Sequence, residues 1–476
     1  MGIRRALSLH HLIAPNLLGT CLPLALIVAL TGCGGSNGTT SISPTSALKT
    51  QVQINMGDAP ANWMLAFSMN ISSMSLTGSN GSVSVVSSTI PIEMMHLMGT
   101  MQPLSMIAVP QGSYTGASIT IGSATVMYMD PTTKVAVQRT ISGPISSSVS
   151  FSSPVTLGST PMAMGFDLDL ASSVTADVNG NLAMNPVFHV TSGMQGAGNP
   201  LDFTNGGIQQ MMGTISSVSG TSFVMNSIQV SQSFSFGTNS STVFANTSMS
   251  GMASGMVTIV NASLQPDGSL MATKVQSMMS SGGVMGGGII TATNGQPATA
   301  LTMVMQNGAG AGMMSSSFAS GASINLSGST TYQIDVDGMN MLGLPFNPIF
   351  DASHIYAGQS VMPISSTSMT SGGMMGGGAM AGTITASTIA LQPQGMSGTV
   401  ATTITAGLST SFTLTLPSDS AFKTMTGATN VTVFEQPGTT ISGTSPIAGG
   451  STVHAFGLLF FDVGQWKMVA ARISSD

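Results

Sequence analysis

Charge is what this chain lacks. Only 5% of its 476 residues are Asp, Glu, Lys or Arg, against about 25% in an ordinary globular domain. The nine Lys and Arg are scattered along the whole length. No basic patch exists to neutralise phosphates, so nucleic acid is excluded as a partner. Cysteine is almost absent. Cys21 and Cys33 both lie near the N-terminus, which leaves everything after them without a disulfide, a thiolate metal site or a cysteine nucleophile. Aromatic residues make up 5%, and Trp466, flanked by Gln465 and Lys467, is slight support for a sugar-stacking platform. The short motifs that carry chemistry are missing too: there is no zincin helix or Walker A loop, and no nucleophile elbow between an apparent strand and helix. Gly308-Ala309-Gly310-Ala311-Gly312 opens no apparent helix. His96, His189, His354 and His454 lie far apart, with no metal-ligand spacing. A non-catalytic protein with no cofactor is expected.

What is present begins at the N-terminus. Arg4 and Arg5 precede an apolar stretch that closes at Leu30-Thr31-Gly32-Cys33. Two arginines, an apolar run and a small-residue cleavage site make a bacterial secretory signal. A transmembrane helix fits less well, because a span needs about 20 predominantly apolar residues and the strongest run, Leu22 to Leu30, is shorter and contains Pro23. The last four residues resemble the lipobox of bacterial lipoproteins. That resemblance implies removal of residues 1–32 and acylation of Cys33, which becomes the mature N-terminus. One acyl chain anchors only marginally; the lipoprotein pathway supplies several. Gly34 after the cysteine implies transport to the outer membrane, at its periplasmic face or the cell surface. Residues 33–47 read as a flexible tether. The expected partners are the membrane, held through the N-terminal lipid, and a glycan or another envelope protein.

Beyond residue 47 the chain reads as all-β. Hydrophobic residues are 42% of the whole, the reverse of the charge-rich, apolar-poor composition of disordered chains. Residues 48–190 form one β-sandwich-like domain in this reading. Trp63, Leu65, Phe67, Met69 and Ile71 alternate with Met64, Ala66, Ser68 and Asn70, a strand with one buried face. The alternation slips at Ser72-Ser73 and resumes at Met74, which predicts a bulge. Gly78-Ser79-Asn80-Gly81 is a turn, and Glu93–Met98 suits a short helical turn. Strand signals follow at 83–86, 117–121, 126–129 and 166–170. With so little charge, the 22 Pro and 58 Gly must protect the strand edges. The segment resembles domain-of-unknown-function family 4382 in Asp58-Ala59-Pro60, in Ile92 to Leu97, in Val109-Pro110-Gln111-Gly112-Ser113-Tyr114, in Phe166-Asp167-Leu168-Asp169-Leu170 and in Pro186-Val187-Phe188-His189-Val190. The resemblance implies an all-β envelope domain and carries no activity.

After a linker at 191–212, three loose repeats follow. They span 213–276, 288–392 and 398–474, each opening Gly-x-Ile or Gly-x-Val at Gly213, Gly288 and Gly398 and ending in a strand such as Ala272-Thr273-Lys274-Val275. They resemble domain-of-unknown-function family 5666, which implies small β-barrels. Gly/Ser/Met loops such as 277–287 and 371–380 join or interrupt them.

Methionine is over-abundant, at 40 residues. Thioethers are soft ligands that select Cu(I), so Met94-Met95-His96-Leu97-Met98 with Met101, and the pairs Met278-Met279 and Met374-Met375, make a copper- or silver-binding envelope protein the alternative function. Against it, Met is adaptable core filler. Leu301, Met303 and Met305 alternate as a strand face, whereas the loop methionines lack that explanation. Two carboxylate pairs, Asp167/Asp169 and Asp335/Asp337, each share one strand face. One strand supplies neither the six oxygens of a calcium site nor the flanking geometry of a glycosidase, so they read as solvated charges. Few ionisable groups also imply a weak dependence of stability on pH.

Overall fold

The computed structural model describes residues 48–476 apart from 60, 80, 98–99, 177–179, 195–205, 229, 231, 279–285, 307–320, 337–338, 366–383, 407–408, 443–446 and 476. Nearly every described element is a strand. The N-terminal domain contains β1 (Lys49–Ala59), β2 (Met64–Gly78), β3 (Gly81–Val86), β4 (Ile90–Glu93), β5 (Met101–Pro110), β6 (Gly112–Met129), β7 (Ala136–Leu157) and β8 (Met162–Asp169). A single turn, α1 (Leu170–Ser173), then leads to β9 (Val174–Ala176), β10 (Leu182–Met184) and β11 (Phe188–Met194). One sheet runs β11-β8-β1-β5 and the other β3-β2-β6-β7, with β4 also on β2. Their facing side chains, Ile54, Met56, Phe166 and Leu168 against Phe67, Ile71, Ile119 and Val126, merge into one core. This is a sandwich, built as alternation requires.

Local patterning explains its strands. The slip at Ser72-Ser73 is real: the β2–β6 register breaks between Ile71 and Ser73 and the buried series resumes at Met74. The strand signals at 117–121 and 126–129 belong to one strand, β6. A 3-10 turn covers Met95–Leu97. The 22-residue β7 is an edge strand, mostly exposed. Its pairing with β6 skips over Gly143-Pro144 and again before Val155, where Pro154 stands. Proline cannot donate to a ladder, and these positions interrupt an otherwise exposed edge.

The first barrel comprises β12 (Gly207–Ser219), β13 (Ser222–Ser227), β14 (Ser233–Gly237), β15 (Val243–Ala245), β16 (Val257–Leu264) and β17 (Leu270–Ser277). The second comprises β18 (Gly288–Asn294), β19 (Ala300–Met305), β20 (Ala322–Asn325), β21 (Thr331–Ile334), β22 (Ser360–Ile364), β23 (Ile384–Thr385) and β24 (Thr388–Leu391). The third comprises β25 (Gln394–Ala406), β26 (Ser409–Thr415), the short helix α2 (Ala421–Thr426), β27 (Asn430–Ser442), β28 (Thr452–Asp462) and β29 (Gln465–Ser475). The linker expected at 191–212 is shorter than that, because β11 runs to Met194 and β12 begins at Gly207. Among the described residues no helix is long and apolar enough to cross a membrane.

All three units share one path. With the short β15 and β21 set aside and β23 and β24 taken as one interrupted strand, the first strand (β12, β18, β25) pairs antiparallel with the second (β13, β19, β26) and the fourth (β16, β22, β28), and the third (β14, β20, β27) lies parallel to the last (β17, β23, β29). The first barrel closes through β14–β17, and the third is closed as β25-β26-β27-β29-β28. In the second, only Ala386 and Ser387 separate β23, which pairs with β20, from β24, which pairs with β22, so the sheet curls round on itself. Each is a five-stranded Greek-key barrel of the kind the OB-fold exemplifies. The glycine that opens each repeat has a steric cause. A Cβ on Gly213, Gly288 or Gly398 would come within 2.5, 2.1 or 2.3 Å of a carbonyl oxygen on the neighbouring second strand.

The domains interlock. Leu65 and Ala66 point away from the sandwich core and are buried with Met127 and Met129 against Ile289 and Val304 of the second barrel and Ala421 of α2. Met212, Ile259 and Met278 of the first barrel pack on Met362, Ile364 and Ala390 of the second. Leu458, Phe460 and Val469 of the third barrel join the core of the second. Polar contacts stitch the same seams: Gln306 Nε2 donates to Leu65 O at 2.6 Å, Ala421 N to Asn62 O at 2.8 Å, Gln359 Nε2 to Leu459 O at 3.1 Å and Arg472 Nη2 to Gln209 Oε1 at 2.6 Å.

Two outcomes follow from this packing. Leu65→Ala lowers stability by about 2–4 kcal/mol, as a seam position demands; a loss below about 0.5 kcal/mol in urea titration would place Leu65 at a solvated surface. Gly398→Ala costs about 1–3 kcal/mol through overpacking, read as a lower urea midpoint with an unchanged slope.

Candidate functional site

Where the sandwich and all three barrels meet lies a cavity of about 110 Å³, room for several water-sized groups. Each domain brings its wall by a different route. The sandwich contributes Asn62 before β2, the turn carrying Met95 and His96, and Gln102 at the start of β5. The first barrel contributes Gln209 and Gln210 of β12, the second Gln306 and Ser360, and the third Gln394, Ser397, Phe422 and Phe456. No Asp, Glu, Lys or Arg lines it. Most of the wall amides are structural. Gln394 accepts from Ser360 N at 2.6 Å and donates to Gly358 O at 2.9 Å, and Gln306 and Gln209 hold the seams described above.

Two acceptor atoms on the wall are buried without a partner, Gln102 Oε1 and His96 Nε2. The ring of His96 is fixed from behind. Glu93 Oε2 lies 2.9 Å from His96 Nδ1, and the same carboxylate accepts from the backbone N–H groups of Phe67, Met95 and His96 at 3.0–3.1 Å. The side chain of His96 is 8% exposed and that of Glu93 1%. A second space of about 460 Å³ lies between the first and second barrels, with Lys274 and Asp335 on its wall.

The other sequence candidates are dispersed. His189 is exposed on the edge strand β11, its Nε2 3.9 Å from Asp169 Oδ2. His354 Nδ1 contacts Asp351 Oδ1 at 2.8 Å on the surface. His454 shares a hydrogen bond of 2.7 Å with Ser397 Oγ. These two stand directly opposite on β25 and β28, so cross-strand proximity alone accounts for the contact. No group of three His, Cys, Asp or Glu capable of holding a metal occurs among the described residues. Cys33, the signal and the tether lie outside the described residues, as do Met98, Met279, Met374, Met375, Asp337 and the 308–312 run.

Two expectations are corrected. Met278, placed by sequence in a loop without a packing role, is buried in the seam between the first two barrels. Twenty methionines are buried, so filler is the main use of this residue among the described residues. Asp167 is not a solvated charge either. Burial pushes its pKa to about 6; the His189 and His454 rings oppose the rise and the Asp169 carboxylate adds to it. Its partner in the pair, Asp169, caps α1 by accepting from Ser172 N at 2.9 Å. Nearby Asp58, which sequence reading left in a family motif, is more extreme. It is 3% exposed and neither carboxylate oxygen has a partner. Burial first, then the charges of Asp167, Glu93 and Asp169, hold its pKa well above the usual carboxylate range. The alternation of β1 gave no sign of this, since an acid at the end of an apolar face looks like a strand terminus.

Residues 212–276, essentially the first barrel, match the family model described as Domain of unknown function (DUF5666). No curated protein matches the chain.

The raised carboxyls replace the expected weak pH dependence with a specific one. An acid whose pKa is higher in the folded state contributes stability that is complete below its unfolded value and is lost as pH rises to the folded value. For Asp167 that window runs from 3.8 to about 6. Asp167→Asn therefore raises the melting temperature at about pH 8, by an amount equivalent to roughly 2–3 kcal/mol, and leaves it unchanged near pH 3.5. Equal melting of the two proteins across that range would mean the carboxyl is solvated.

Proposed function

We propose that this is a non-catalytic, lipid-anchored protein of the bacterial cell envelope that binds an uncharged, hydroxyl-rich ligand, a glycan, at the four-domain junction. The observation that carries the ligand class is the cavity wall. It offers amides, hydroxyls and aromatic edges, no charged group, and a buried acceptor, Gln102 Oε1, that lacks a donor. A buried acceptor left unpaired costs about 1–3 kcal/mol, and a ligand hydroxyl removes that cost. An anionic ligand would lose its hydration with no cationic side chain on the wall to compensate. The five-stranded barrels are a familiar platform for saccharides, an analogy of fold only.

The anchor rests on Leu30-Thr31-Gly32-Cys33 and the arginine-led apolar stretch before it. Resemblance of 48–190 to domain-of-unknown-function family 4382 supports an envelope setting, and Gly34 supports the outer membrane. The mechanism is presentation: the acyl chains fix Cys33, the tether through residue 47 gives reach, and the interlocked domains hold the junction open at a fixed geometry.

Two measurements test the proposal. Mass spectrometry of membrane fractions recovers an N-terminal peptide beginning at acylated Cys33; an intact leader or a free thiol at that position removes the anchor. On a glycan array the protein binds neutral glycans, and Gln102→Leu weakens that binding at least about tenfold, the cost of one lost buried hydrogen bond. Absence of any glycan signal, or equal binding by the variant, removes the ligand assignment.

A further inference from the structure

The His96 side of the junction has a chemistry of its own. Its Nδ1 faces a carboxylate, which in its ionised form only accepts hydrogen bonds, and the tautomer that donates from Nδ1 carries its lone pair on Nε2. That nitrogen is buried and without a partner. A histidine whose far nitrogen is held by a carboxylate is the usual outer-shell arrangement of a metal-ligating imidazole: the carboxylate fixes the tautomer and raises the basicity of the other nitrogen. Here the carboxylate is itself fixed by three backbone N–H groups, so the ring is oriented before any ligand arrives.

The same cavity is lined by four thioethers, those of Met64, Met95, Met396 and Met425. The first three are buried, at 3%, 6% and 5% exposure. They come from the sandwich and from the third barrel, 29 to 361 positions apart in the chain, and only the closed junction brings them to one wall. Soft thioethers with one imidazole select Cu(I) and its analogue Ag(I) over hard cations. Charge points the same way. No acid lines the cavity, so a divalent ion would be poorly compensated, whereas a monovalent ion balances the one carboxylate, Glu93, behind the ring.

We infer that the junction cavity holds a soft monovalent cation, Cu(I) or Ag(I), ligated by His96 Nε2 together with thioethers of the surrounding methionines, with Glu93 as the positioning residue behind the imidazole. The inference goes beyond the glycan reading and does not depend on it, since it uses His96 rather than Gln102. It also separates this site from the general methionine content, most of which is packing.

The test is titration of the full chain with Ag(I), which needs no reductant, in chloride- and thiol-free buffer. One site binds tightly and saturates at one equivalent, ahead of weaker binding by other methionines. His96→Phe removes that first equivalent and keeps the weaker phase. Met95→Leu and Met396→Leu, volume-conserving swaps that the core tolerates, each weaken the first equivalent while the metal-free melting temperature stays close to that of the parent. Glu93→Gln weakens it about 10–100-fold, the range for an outer-shell partner. The imidazole provides a readout independent of folding: one equivalent of Ag(I) shifts the Nε2 resonance of one histidine in ¹⁵N spectra. A first equivalent that survives His96→Phe, or a titration with no distinct first equivalent, overturns the inference. Glycan binding measured without metal is unaffected by either result, so the two proposals fail separately.

Discussion

A strand that is apolar on both faces must be covered on both faces, and that requirement organises this molecule. Leu65 and Ala66 sit on the outer side of β2, opposite a core that Met64 and Phe67 already fill. Water cannot be left against them without losing the transfer free energy of the buried area, about 25 cal/mol per Å². The second barrel and α2 supply the cover through Ile289, Val304 and Ala421. The same need recurs between the first two barrels at Met212 and Met362. Four units are thereby fused, with cores that run from one into the next, and the cavity lies where they meet. Few charges make this tolerable, since seams of amide, thioether and alkyl groups carry few ions, the guanidinium of Arg472 against Gln209 being one of them.

How much of this was legible in the sequence depends on range. Features set by neighbours within a strand could be read: the alternation of 67–71, the slip at Ser72-Ser73, the turn at 78–81, the 3-10 turn after Glu93. Each depends on side-chain period or on turn chemistry, which are local. The glycines at 213, 288 and 398 were visible as a pattern, and their reason, a carbonyl of the next strand at 2.1–2.5 Å from a would-be Cβ, became visible only with pairing known. Leu65 misled because a seam and a strand core use the same residue types. The junction could not be read at all. Ser397 and His454 meet across 57 residues, and Met64 and Met396 share a wall across far more.

The acids show the other side of a charge-poor composition. With nine Lys and Arg in 476 residues, a buried carboxyl rarely finds a cation. Asp58 meets three other carboxylates and neither of its oxygens is bonded, so its low-cost form in the folded protein is the neutral one. Glu93 solves the same problem differently, by accepting three backbone N–H groups and facing an imidazole. Two buried acids within one domain thus sit in opposite settings, Asp58 with neither oxygen bonded and Glu93 with both oxygens accepting. The turn at Met95–Leu97 supplies two of the three backbone donors to Glu93, from Met95 and His96, and Phe67 of β2 supplies the third.

Methionine ties packing to chemistry. Its unbranched, flexible side chain fits irregular gaps where a β-branched residue would be forced off its rotamer, and Met212, Met278 and Met362 fill the seam between the first two barrels. The choice of filler fixes the chemical character of whatever space is left over. A junction packed with Leu and Ile would be inert around His96. Packed with Met64, Met95 and Met396 it surrounds an unpartnered imidazole nitrogen with polarisable sulfur. The residue that lets four domains fit together is therefore the one that makes their meeting point a candidate ligand set, and packing and binding make a single demand on those positions. Replacing one of these methionines by leucine separates the two, because leucine keeps the volume and removes only the sulfur.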